Sequence, residues 1–76
     1  MTGYHWLEVD TRRHGRPVVA VRGTRVTTDD ILEMLEAGWS PEEVAEELEI
    51  PLEAVYETLR LAREAIKKTV ARSARV

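Results

Sequence analysis

The side chains that could do chemistry in this chain are its charges, and they come in blocks. Five arginines (Arg12, Arg13, Arg16, Arg22 and Arg25) precede Thr28 against only Glu8 and Asp10, a local net charge of +3. From Asp29 to Glu57 there are eleven acids and no base, a net −11. From Thr58 to Val76 six bases (Arg60, Arg63, Lys67, Lys68, Arg72 and Arg75) face Glu64 alone, a net +5. The total of −3 therefore hides a basic, acidic, basic order. Such cations bind phosphates or clustered carboxylates, arginine through two parallel hydrogen bonds. Two readings stay open: the terminal bases neutralise the acidic middle, within the chain or across a dimer, or they present a basic surface to nucleic acid or an acidic protein. Catalysis is not expected. His5 and His14 stand nine residues apart without close sequence partners, Ser40 and the threonines read as helix caps, and nothing has the spacing of a nucleophile with its base, a phosphate loop or a metal cluster. No cofactor is expected.

The elements that must position these charges centre on Ser40–Leu61, SPEEVAEELEIPLEAVYETLRL. Ser40 as cap, Pro41 at the first helical position and Glu43 three residues after the cap predict a sharp helix start. Val44, Ala45 and Leu48 form an apolar stripe, Ile50-Pro51 interrupts it, and Leu52, Val55, Leu59 and Ala62 resume it on a second helix. This is the layout of a helix-turn-helix, with Ala45 at the close approach and Ile50 and Val55 wedged between. Upstream, Tyr4–Asp10 alternates as a strand with Leu7 and Val9 on one face, Thr11–Arg16 is a polar turn, and Val18–Val21 is the partner strand. After a turn at Gly23, Thr27-Thr28-Asp29-Asp30 opens a first helix. Ile31, Leu32, Met34 and Leu35 are its buried face, Gly38 its left-handed stop, and Trp39 folds back over its last turn. The expected fold is α+β, mainly α: an N-terminal β-hairpin and three helices in residues 1–64, the last helix extended by a basic tail in residues 65–76.

Seventy-six residues make one domain near the lower limit for a self-sufficient core, so a homodimer is expected, through the hairpin, a seam along the last helix, or both. Cysteine is absent, which excludes disulfides and thiolate metal sites. No apolar run reaches membrane-spanning length and no signal peptide opens the chain, so the expected setting is the cytoplasm.

Three stretches, Gly15-Arg16-Pro17, Arg22–Val26 and Leu35–Glu43 (LEAGWSPEE), together resemble the domain-of-unknown-function family 433. These are small prokaryotic antitoxin-like proteins, and the resemblance runs from about Trp6 to Arg63. It implies a homeodomain-like helical fold behind an N-terminal β element, and a PIN-like ribonuclease toxin as partner. Two departures stand out. Val18–Arg22 supplies five residues where the family has about three, which lengthens the strand without flipping its faces. Pro51 stands where relatives carry a threonine or serine cap.

The expected function is that of a type II antitoxin that neutralises its toxin and represses its own operon. Toxin contact is expected from Ile66, Lys67, Lys68, Val70, Arg72 and Arg75, the arginines reaching the acidic metal site of the nuclease. DNA contact is expected from Arg12, Arg13, Arg16, Arg22, Arg25, Tyr56, Arg60 and Arg63. A chemical objection weighs on the second set: Glu53, Tyr56, Glu57 and Arg60 would be the exposed early positions of the recognition helix, and carboxylates repel phosphates. Arg25 has a competing structural reading, a bidentate ion pair to the acidic helices. The alternatives are a stand-alone DNA-binding regulator and a purely protein-binding adaptor.

Overall fold

A computed structural model describes residues 3–73. Strands β1 (Leu7–Asp10) and β2 (Val18–Val21) are followed by helices α1 (Thr28–Glu36), α2 (Pro41–Leu48) and α3 (Leu52–Ser73). The strands pair antiparallel with Leu7 opposite Val21 and Asp10 opposite Val18. Beyond β2 the chain reverses through Gly23, and the Val21 N–H donates to the Val26 carbonyl at 2.8 Å, which covers part of the outer edge of β2.

Both short helices open on complete capping boxes. Thr27 accepts from the Asp30 N–H while the Asp30 carboxylate accepts from the Thr27 N–H, and Ser40 and Glu43 do the same for α2. They also end alike. The Trp39 N–H reaches the Met34 carbonyl and the Gly38 N–H that of Leu35; one helix later the Ile50 N–H reaches Ala45 and the Glu49 N–H reaches Glu46. This double bond pattern needs a left-handed residue at its centre. Gly38 supplies it at φ 104, as expected; in α2 a glutamate does, Glu49 at φ 56. Helix α3 opens without a side-chain cap: Pro51 offers its carbonyl to the Ala54 N–H at 3.0 Å.

Leu7 and Val21 from the sheet, Ile31 from α1, Val44 and Ala45 from α2, Ile50 from the turn, and Ala54 and Val55 from α3 form one buried cluster. The expected close approach at Ala45 and the wedge of Ile50 and Val55 are therefore both present. Three details differ from expectation. The strand begins at Leu7 and not Tyr4, because the amides of His5 and Trp6 are drawn to α3. Val9 shares the face of Leu7 but is 53% exposed and lies outside the buried cluster, whereas its cross-strand partner Val19 packs against that cluster. On α3 the buried arc is Ala54, Val55 and Thr58, with Leu61 packed against it, while Leu59 lies at the exposed margin. The reason is that α3 packs against α1, α2 and β1 together, which centres its buried arc on Thr58. The Thr58 hydroxyl is satisfied within the helix by the Ala54 carbonyl at 2.9 Å.

Candidate functional site

The first turns of α3 do not offer the surface that a recognition helix would need. Glu57 is half-buried, its carboxylate accepting the Trp6 N–H at 2.8 Å and the His5 N–H at 3.0 Å. One turn on, Arg60 donates to the Gly3 carbonyl and lies over the Tyr4 ring, 4.4 Å from its centre. Glu57 and Arg60 thus hold residues 3–6 against the helix. The expectation that Glu57 is exposed is corrected, since backbone amides absorb its carboxylate; Arg60 is exposed as expected but already engaged. Tyr56 remains exposed, its hydroxyl 3.4 Å from a Glu42 carboxylate oxygen. Arg63 is exposed on the next turn.

Of the hairpin arginines, two are tied down and three are not. Asp10 accepts the Arg12 and Arg13 N–H groups at 2.9 and 3.2 Å, which holds its carboxyl below the usual range, the Arg12 amide contributing most. The Arg13 guanidinium then reaches the Thr24 carbonyl at 3.0 Å and lies 3.9 Å from Asp10. Arg22 donates to the His5 carbonyl at 3.1 Å and pairs with Glu8 at 3.5 Å. Arg12, Arg16 and Arg25 are exposed, with no ion pair among the described residues. The bidentate pair expected between Arg25 and the acidic helices is not formed among the described residues, although its turn leads into the Thr27 cap of α1. A groove of about 450 Å³ runs from His14 and Arg16 to the first turn of α1, but Asp29 and Asp30 line it and Thr27 is already used as a cap. That groove does not suit an anion.

Beyond Ala62, α3 leaves the core. Leu59, Ile66 and Val70, spaced seven and four apart, share one side of the helix, with Ile66 and Val70 63% and 61% exposed. Arg63 and Lys67 border that line, and Lys68 and Arg72 lie on the far side. Lys67 stands 3.9 Å from Glu64, an exposed pair of little consequence. The structure thus brings together Ile66, Lys67, Lys68, Val70 and Arg72 on one free helix; Arg75 lies outside the described residues.

The acidic middle is the third surface. Its carboxylates are spent on caps, as in Asp30 and Glu43, on backbone, as in Glu57, or on solvent. The three ion pairs among the described residues involve Glu8, Asp10 and Glu64, so none neutralises residues 29–57. Among the described residues, then, no base from either terminus is paired with the acidic middle. Where α1 meets α2, Trp39 is 40% exposed and lines a notch of about 280 Å³ with Glu43, Glu46 and Glu47. Glu43 sits below its usual pKa because the Ser40 N–H, and then its hydroxyl, bond the carboxylate.

Sequence reasoning missed the clamp of Glu57 and Arg60 on residues 3–6. The only local signal was an acid and a base three apart on one helix face, and their targets lie more than fifty residues upstream. Among the described residues no group of three or more histidines and carboxylates could hold a metal ion, and no helix is long and apolar enough to cross a membrane. In comparison with known families, residues 10–62 match the family described as "Protein of unknown function (DUF433)". No curated protein and no solved structure matches the chain.

Proposed function

We propose that this chain, which belongs to the DUF433 family, is the antitoxin of a type II pair, acting in the cytoplasm on a PIN-like ribonuclease. The observation that carries the reading is the free half of α3, an already formed helix that exposes Ile66 and Val70 beside Lys67 and carries Lys68 and Arg72 on its other side. A partner that covers it gains apolar contact and charge pairing without the full cost of ordering a disordered segment. A nuclease site that gathers carboxylates around a metal is a suitable receptor, because guanidinium pairs with such carboxylates in a fork without being a ligand. The ribonuclease partner itself is what the family resemblance implies.

Operator binding is a second activity in this reading, and the engaged state of Glu57 and Arg60 favours moving it from the start of α3 to the hairpin. Arg12, Arg16 and Arg25 are the exposed cations there that no carboxylate neutralises among the described residues. They would contact phosphates, with Arg63 as an outlying contact.

The test is an RNA-cleavage assay with the product of the reading frame beside this chain's, which should be a PIN-like ribonuclease, titrated with the full chain and with a chain ending at Arg63. Full-length protein should inhibit and the shortened one should not. Arg72→Ala should weaken inhibition more than Arg12→Ala, whereas Arg12→Ala should reduce the salt slope of DNA binding by about one. Equal inhibition by the shortened chain removes the α3 extension from the mechanism, and absence of inhibition by either removes the antitoxin reading.

A further inference from the structure

Two surfaces of this molecule carry opposite net charge, with the Lys67–Glu64 pair the one ion pair on either among the described residues, and each also exposes large apolar side chains. On α1 and α2, Glu33, Glu36, Glu42, Glu46 and Glu47 are exposed, Glu46 and Glu47 together with Glu43 lining the notch beside Trp39, and none takes part in an ion pair among the described residues. On the free half of α3, Arg63 and Lys67 flank the exposed Ile66 and Val70, with Lys68 and Arg72 on the opposite side of the same helix. The two do not meet within one chain, since α3 leaves the core beyond Ala62 and extends a molecule measuring 42 × 30 × 22 Å. Twelve residues of helix, 62–73, reach about 18 Å at 1.5 Å per residue, enough to cross a face made of two short helices.

We infer that the extension of α3 lies across the acidic α1–α2 face of a second copy of this chain, the two contacts repeating about a two-fold axis. Ile66 and Val70 cover Trp39 of the other copy, and cations of α3 meet Glu43, Glu46 and Glu47 in the notch beside it. An indole flanked by carboxylates suits an ammonium or guanidinium group, which gains from the ring face and the charges together. The basic tail and the acidic middle then neutralise each other between copies, a pairing that is not formed within one chain among the described residues. Symmetry doubles every contact, so a small area per helix becomes a closed interface. This inference goes beyond the antitoxin reading and does not rest on it, because it concerns the chain without any other partner.

The unmodified chain should be a dimer by light scattering at about 100 µM in low salt and should dissociate as salt is raised. The charge reversals E46K/E47K and R63E/K67E change only exposed positions, and circular dichroism should show their helices retained. Each variant alone should lose at least about tenfold in self-association, yet an equimolar mixture should recover the dimer, because each basic α3 then meets an acidic face and the reverse. Ile66→Ser, at a position the core does not use, should weaken association by itself. A monomeric unmodified chain, reversal variants that dimerise like it, or a mixture that stays monomeric would each overturn the inference. The last outcome would point to pairing of α3 with α3.

Discussion

Glu49 closes α2 in a left-handed conformation, φ 56 and ψ 46, where Gly38 closes α1 with the same pair of hydrogen bonds. A side chain is strained there by contact of its Cβ with the following carbonyl. Glu49→Gly removes that strain at the cost of a more flexible unfolded chain, and should raise stability by about 0.5–1 kcal/mol, a rise of several degrees in melting temperature. A second residue with an outsized role is Glu57. Its carboxylate is the acceptor for two successive backbone amides, so Glu57→Gln should cost about 1–2 kcal/mol and speed hydrogen exchange at His5 and Trp6. Unchanged exchange at those amides would show that the strand lead-in is held by other contacts. Neither role was legible locally: Glu49 is one of eleven acids in its block, and Glu57 has partners that only the fold brings near.

At the scale of elements, the helices start where capping chemistry says they should, and the consequence is measurable with pH. In the folded chain the Glu43 carboxyl is held below its ordinary value by bonds from Ser40. A group whose pKa is lower folded than unfolded binds fewer protons when folded, so its contribution is fully present above the unfolded value and fades as pH falls through the folded one. Glu43→Gln should flatten the acid limb of a plot of melting temperature against pH without altering its neutral shape. An equally steep acid limb in the variant would assign that limb to other carboxylates. The junction of α2 with α3 carries a larger effect. Ala45 lies within the cluster of Ile50 and Val55, so Ala45→Glu places an unpaired charge there and should cost about 3 kcal/mol, read by chemical denaturation.

For the whole molecule, the buried cluster draws on β1, β2, α1, α2 and the first turns of α3, and no residue after Val55 belongs to its fully apolar part. A chain ending at Arg63 should therefore keep a cooperative unfolding transition close in midpoint to that of the full chain. Loss of that transition would mean that the free half of α3 supports the core as well as reaching beyond it. Its uncompensated charge makes the molecule read as one half of an assembly, whether the other half is a nuclease or a second copy. Both readings use the same helix, so a nuclease that takes α3 would compete with the dimer.

Read alone, the amino-acid order determined the hairpin, the three helices, their starts and most of their stops, because caps, prolines, glycines and apolar periods act over three or four residues. The family pattern around Gly-Thr-Arg-Val, Gly23–Val26, and the Gly38–Glu43 stretch was legible for the same reason. What only the tertiary structure decided was which charges are spent and which are free. Glu57, Arg60, Arg13 and Arg22 are committed to backbone and neighbours; Arg12, Arg16, Arg25 and the acidic face of α1 and α2 are not paired with one another. Pairing of charge depends on distance through space. Residues 3–6 reach α3 across more than fifty positions of chain, while the acidic face of α1 and α2 and the basic end of α3 form no ion pair with each other among the described residues.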